Sequence, residues 1–393
     1  MVVTTYHRSV GAGPKHGVPL TDWRQTASVD QVNEELSEGA HWVREAIALL
    51  DADANRSADT HLHVFPLPAQ WGIDLYLKDE SVHPTGSLKH RLARALILYG
   101  LVNGHIGKDT TLVEASSGST AVSEAYFARM LGLPFIAVVP HGTSSEKVEL
   151  IEFYGGHCHF VDGPAAVYQS ARELAAESNG YYLDQFSYAE RATDWRANNN
   201  IAESVFSQMS AERHPIPSWI VISAGTGGTS ATFGRYVRYR RHATKVAVAD
   251  PENSAFYEGW RRRDMNYATG IGSRIEGIGR PVVEPSFVPG VIDQMLQVPD
   301  AGSIAAMRLL RAKTRHWAGA STGTNLYAAF EVIARMLRNG EQGSVVTLIC
   351  DRGERYQNTY YDDAWLQAND LQPGHHTAVL EHFLQTGQWD PGQ

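Results

Sequence analysis

Apolar residues in this chain fall into short runs, and the period of each run separates strands from helices. Ile73-Asp74-Leu75-Tyr76-Leu77-Lys78 alternates, as a strand with one buried face does. Short apolar strands are expected at 111–114, 134–139, 158–162, 219–223, 245–249 and 344–350. Helical patterns lie between most of them, at 119–131, 145–154 and 229–242, with an earlier helix from about Val32 to Leu50. Another helix opens after residue 87, its apolar face running Leu88, Leu92, Leu96. Strands alternating with helices predict an α/β chain built on parallel sheets covered by helices. The pattern holds no internal repeat, no low-complexity segment and no heptad run.

Composition narrows the function. A chain of 393 residues, 43% hydrophobic and 20% charged, has room for two to three domains or two intertwined lobes. A net charge of -9 argues against nucleic acid or an anionic membrane surface as the main partner. Cys158 and Cys350 are the two cysteines, too few for a disulfide framework and suited to a reducing cytosol. The first residues lack the apolar core of a secretory signal, and no apolar run approaches the ~18 residues that span a bilayer. The expectation is a soluble cytoplasmic protein. Residues 1–45 read as a packing arm or dimer contact, and Arg261-Arg262-Arg263-Asp264 as solvated surface.

Chemistry concentrates at loops that open helices. In Pro84-Thr85-Gly86-Ser87-Leu88-Lys89-His90-Arg91, Ser87 is the expected N-cap, which puts Lys89 in the first helical turn. A cation is disfavoured there, so more of the amine is free base and nucleophilic. Glu114-Ala115-Ser116-Ser117-Gly118-Ser119-Thr120 leads from a strand into a helix and offers several donors to a carboxylate. A well-capped helix would explain the same residues. Ser223-Ala224-Gly225-Thr226-Gly227-Gly228-Thr229 also links strand to helix, but lacks both the Walker Gly-Lys-Ser/Thr and the spacing of a dinucleotide loop. It suits one terminal phosphate. Ser321 opens a further helix, and Cys350-Asp351-Arg352-Gly353-Glu354-Arg355-Tyr356 leaves a buried strand. A helix-start lysine, a carboxylate loop, a phosphate cup and a lone hydroxyl together fit pyridoxal 5'-phosphate. His61-x-His63 and His157-Cys158-His159 have ligand-like spacing without a third ligand close in sequence, so they read as structural or surface histidines and no metal is expected.

Taken in order, these stretches resemble the fold-type II pyridoxal-phosphate enzymes of the cysteine synthase and cystathionine β-synthase group, over roughly residues 60–360. The run Glu-Ala-Ser-Ser-Gly-Ser-Thr-Ala-Val-Ser-Glu-Ala-Tyr-Phe-Ala-Arg resembles the L-cysteine desulfhydrase branch. The resemblance implies Lys89 as Schiff-base residue and proton shuttle, and Ser116, Ser117, Gly118 and Thr120 as the substrate loop. It implies Gly225, Thr226, Gly227, Gly228 and Thr229 as the phosphate loop, Ser321 as partner of the pyridine nitrogen, and Gln185 of Gln185-Phe186 as a helper to the substrate carboxylate. Glu276-Gly277-Ile278-Gly279 and Gly353-Glu354-Arg355-Tyr356 complete the pattern. Ser119 stands where the family places an asparagine against the cofactor's 3'-oxygen, and Arg352 replaces a serine.

The family's architecture implies a small mobile lobe, 84–188, set into a large lobe of 1–83 plus 189–393, and a homodimer. The implied activity is elimination from L-cysteine to sulfide, pyruvate and ammonia. The alternatives are β-replacement, dehydration of serine or threonine, and a catalytically silent binding protein, against which the intact Lys89 argues.

Overall fold

The computed structural model describes residues 29–56, 59–163, 166–196 and 200–392, so the first 28 residues of the expected arm lie outside the described residues. Ten strands are present among them: β1 His61–Phe65, β2 Ile73–Asp79, β3 Thr111–Glu114, β4 Phe135–Pro140, β5 His157–Val161, β6 Gly180–Tyr182, β7 Trp219–Ser223, β8 Lys245–Pro251, β9 Gln294–Val298 and β10 Gly343–Ile349. They form two sheets. The larger has the order β1-β2-β10-β7-β8-β9, parallel throughout except for the antiparallel edge strand β1. The smaller has the all-parallel order β5-β4-β3-β6. The α/β expectation holds, and every strand anticipated from apolar runs is present within two residues at each end.

Strand β2 departs from expectation in an instructive way. Its alternation suggests one buried face, yet both are covered. Leu75 and Leu77 join Val221, Val345 and the helix Ala320–Arg338 in one core. Tyr76 packs with Ile220, Ile222, Val346 and the helices Ile201–Met209 and Gly228–Arg240 in the other. The polar member Lys78 is fully buried. Its ammonium donates to Thr60 O at 2.8 Å and Gln208 Oε1 at 2.7 Å and stands 3.3 Å from Asp59 Oδ1, so the charge is inside but partnered. A parallel sheet covered on both faces tolerates such a residue only with its hydrogen bonds met.

The smaller sheet has its own core. Leu112, Phe135, Ala137 and Val139 pack under the helices Lys89–Val102 and Ser119–Leu131, and the first described helix, Val29–Asn55, adds Ala46 and Leu50 to this cluster. Val113, Val138 and Val161 face the helix Val167–Glu177 on the opposite side.

Candidate active site

The helix carrying the candidate lysine begins at Lys89 itself, with Leu88 in the cap position, one residue later than the Ser87 cap expected. The Ser87 hydroxyl still serves the helix end, accepting the Lys89 N–H at 3.3 Å. What fixes this turn is long-range. Leu88 N–H donates to Cys350 O at 2.8 Å and Arg352 N–H to Gly86 O at 3.0 Å, a short antiparallel bridge at the end of β10. Gly86 has φ of +75°, a conformation glycine adopts freely. The same segment reaches the Ser321 helix, since Gly353 N–H donates to Trp317 O at 2.8 Å and Ala318 bridges Arg352. Residues 350–353 therefore stitch the Lys89 turn to the turn before Ser321. Arg352, the departure from the family serine, has its guanidinium on the Ser81 carbonyl at 3.0 Å, ahead of the Lys89 turn.

Within this junction the Lys89 amine has no hydrogen-bond or ion-pair partner among the described residues. Burial holds it below the ordinary lysine range, against the opposing pull of Cys350 and Asp351, while Arg280 adds to the depression. A Cβ placed on Gly225 would stand 3.5 Å from Lys89 Nζ, so the phosphate loop passes directly beside the amine. Cys350 is near enough for a charge on it to act on the amine. Its thiol is hydrogen-bonded by Ser321 and Thr322, takes Asn325 Nδ2–H at 3.2 Å, and is pushed up to about 12 by burial, which keeps it neutral.

The glycine loop forms a tight cradle. Gly227 caps the helix Gly228–Arg240 with φ of +90°, and a Cβ there would meet Phe287 Cα at 2.6 Å. Gly228 N–H donates to Thr226 Oγ1 at 3.2 Å, and Gly279 N–H to Ala224 O at 2.9 Å, which docks the 276–279 loop on the cradle. A first helical turn aims N–H groups without intrahelical acceptors at whatever sits before it, the arrangement that holds a phosphate. A cavity of about 370 Å³ borders Lys89, Thr226, Gly228 and Thr229; its walls do not include Ser321 or residues 116–120.

The substrate-loop candidates sit at the start of the helix Ser119–Leu131, with Gly118 as its cap. Gly118 N–H donates to Ser116 Oγ at 3.3 Å, a weak bond that shapes the loop, and no hydrogen bond of Ser117's side chain is among those found. Thr120 Oγ1–H donates to Gln185 Oε1 at 2.8 Å, joining two residues 65 apart in sequence. Behind them Glu114, fully buried, accepts Ala115 N–H at 2.7 Å and Gln185 N–H at 3.1 Å. Ser119 Oγ accepts from Arg355 Nη1 at 2.6 Å. That bond leaves the Ser119 proton available to donate onward and makes it more acidic. The Arg355 contact and the Cys350 thiol are the two features the sequence left without a role. Arg355 was visible in Gly353-Glu354-Arg355-Tyr356, but its partner is 236 residues away.

The residues present fit pyridoxal 5'-phosphate. An unpartnered buried amine suits its aldehyde, a glycine cradle at a helix start suits its phosphate, and the Ser321 hydroxyl beside Lys89's neighbour Cys350 suits a ring nitrogen. Residues 58–351 match the family described as pyridoxal-phosphate dependent enzyme. The chain is 58% identical over 352 residues to the L-cysteine desulfhydrase Cds1 of Mycobacterium tuberculosis, covering 88% of this chain and 96% of that protein. It is 27% identical to cysteine synthase 2 of Schizosaccharomyces pombe, over 77% of this chain and 81% of the relative. Among solved structures, an O-acetylserine dependent cystathionine β-synthase from Helicobacter pylori superposes with a TM-score of 0.67 at 26% identity, covering 79% of this chain and 97% of that one. An O-ureido-L-serine synthase gives the same TM-score at 25% identity, covering 78% of this chain and 96% of that one.

Proposed function

The chain belongs to the pyridoxal-phosphate dependent enzyme family, and from that premise we propose that it cleaves L-cysteine, with water, to sulfide, pyruvate and ammonia. The observation that carries the reading is the buried Lys89 amine, unpartnered among the described residues, beside the glycine cradle and near Cys350. The likeness to a desulfhydrase over nearly that protein's whole length supports the choice of substrate.

When bound, the cofactor supplies an aldehyde for amine capture and a ring that withdraws electrons from the substrate's α-carbon. Lys89 Nζ would be the amine that holds the aldehyde and the base that takes the substrate's α-proton, roles that its depressed pKa favours by favouring the free base. The amides of Gly225 to Thr229, at the start of the helix Gly228–Arg240, would hold the phosphate, and Ser119 Oγ–H, its oxygen already bonded by Arg355, would be free to donate to the ring's hydroxyl oxygen. Ser321 would offer the ring nitrogen a neutral hydroxyl in place of a carboxylate, a partner that would leave the bound cofactor a modest electron sink. Ser116, Ser117, Gly118 and Thr120, with Gln185 tied to Thr120, bind and orient the substrate carboxylate.

Residues 84–188 act as the lobe that closes on this carboxylate and excludes water. The helix Val29–Asn55 rides on that lobe, because its Ala46 and Leu50 sit in the lobe's core. The assembly is a homodimer of the 43.3 kDa chain, working in the cytosol, where the two buried thiols stay reduced. Light scattering giving the monomer mass would sink the dimer. No helix among the described residues is long and apolar enough to cross a membrane.

A second reading, β-replacement, is favoured by the synthases among the structural neighbours. One assay separates them. Purified protein given L-cysteine alone should release sulfide and pyruvate in equal amounts. Sulfide without pyruvate would favour replacement, and neither product would refute L-cysteine as substrate.

A further inference from the structure

We propose that His63, Asp79 and His316 form a binding site for a divalent transition-metal ion, best suited to zinc, that clamps the strand leading to Lys89 to the turn leading to Ser321. One ligand atom from each of the three residues lies within 4.8 Å of the other two. The cluster was invisible in sequence because His63 lies in β1, Asp79 ends β2, and His316 follows the helix Asp300–Thr314. Of the His61-x-His63 pair only His63 takes part, and Asp79 and His316 join it from elsewhere in the chain.

The second layer is arranged as a metal site requires. Asp79 Oδ1 is committed, accepting Ser81 N–H at 3.0 Å and Ser81 Oγ–H at 2.6 Å, which turns Oδ2 toward His63. Thr314 Oγ1–H donates to Leu310 O at 2.8 Å, so its oxygen can only accept from His316 Nδ1 at 3.0 Å. That assigns the proton of His316 to Nδ1 and leaves Nε2 with a bare lone pair, the tautomer that ligates a metal. His63 and His316 rings lie 4.3 Å apart, centroid to centroid. Their close approach brings together two imidazoles with nitrogen lone pairs and one carboxylate. His63 Nε2 and Asp79 Oδ2 are 3.4 Å apart. Ligands bound about 2.1 Å from a tetrahedral zinc stand about 3.4 Å from each other, so this edge is already of the right length. Two imidazoles and a carboxylate, with water completing the shell, match zinc better than calcium or magnesium, which prefer all-oxygen sets.

The position gives the ion something to do. Asp79 lies ten residues before Lys89, and the Ser81 it holds accepts Arg352 through its carbonyl. His316 lies five residues before Ser321, next to Trp317, whose carbonyl takes Gly353 N–H. An ion joining Asp79 to His316 would brace the same two turns that residues 350–353 stitch together.

The test uses the holoenzyme, stripped with a chelator and titrated with zinc and separately with cobalt(II). Wild type should take up one zinc per chain, show cobalt d–d absorption bands and melt at a higher temperature with zinc. The double variant His63→Ala/His316→Ala should bind one equivalent less and lose the bands, with cofactor absorbance retained. Thr314→Val, which removes the acceptor of His316 Nδ1–H along with the hydroxyl's own bond to Leu310 O but leaves all three ligands in place, should weaken zinc binding about 10-fold and serves if the double variant fails to fold. Equal zinc uptake by wild type and the double variant, or unchanged affinity in Thr314→Val, would overturn the site and leave an ordinary His–Asp contact.

Discussion

At the scale of single residues, the site depends on one amine kept without a partner. A buried lysine ordinarily finds a carboxylate, as Lys78 does with Asp59, whereas Lys89 pairs with none among the described residues. Lys89→Ala is expected to remove the visible absorbance of the bound cofactor and all sulfide release from L-cysteine; turnover at the wild-type rate would end the assignment. Gly227 is constrained twice, by its positive φ and by Phe287 Cα against its open face. Gly227→Val should therefore yield protein that loses cofactor on dialysis, measured as cofactor per chain, and full retention would contradict the phosphate role. Arg355 illustrates a residue whose type is plain in sequence and whose partner is not. Its guanidinium donates to Ser119 Oγ at 2.6 Å, from a segment far away in the chain.

At the scale of elements, the helix Lys89–Val102 is anchored by charge as well as by Leu96 and Ile97. Arg91 Nε donates to Glu80 Oε2 at 2.6 Å and Nη2 to Glu80 Oε1 at 3.1 Å, while Thr60 Oγ1–H also donates to Oε1 at 2.7 Å. Glu80 is fully buried, and Arg91 leads the influences that hold its carboxyl well below the ordinary range against desolvation. Arg91→Ala strands that carboxylate, and a loss of about 3–5 kcal/mol in urea unfolding is expected. A change under about 1 kcal/mol would mean that the remaining donors to Glu80 suffice.

The helix Ser119–Leu131 carries the opposite kind of carboxyl. Both oxygens of Glu124 are buried, and the group it faces is another carboxyl, that of Glu114. Burial, then the neighbouring Glu114, raises its pKa well above normal, and burial pushes Glu114 up to about 8. Acids raised in the folded state hold protons that the unfolded chain has released. Their effect is absent at pH values below the ordinary carboxyl range, and stability falls as pH rises from about 4.5 toward 8. Glu124→Gln removes one of the two ionisations, so the decline of the melting temperature over that window should flatten. An unaltered pH slope would show that the pair does not control it.

At the scale of the whole molecule, two parallel sheets with separate cores meet where the Lys89 turn, the Ser321 turn and residues 350–353 converge. This arrangement puts the loop at 116–120 beside the smaller sheet and the glycine loop at 225–229 beside the larger, and contacts such as Ser286 N–H to Phe186 O at 3.0 Å tie the segments together. The sequence alone determined the α/β class, the strands at 111–114 and 219–223, and the loops that open helices at Lys89, Ser119 and Gly228. Those features are written in short-range periodicity and in the few residue types that suit a helix start. Only the tertiary structure decided that Lys78 is inside, that Cys350 interacts with both Lys89 and Ser321, and that His63 meets Asp79 and His316. Each of these rests on strand order and register, which join segments far apart in the chain and leave no local period to read.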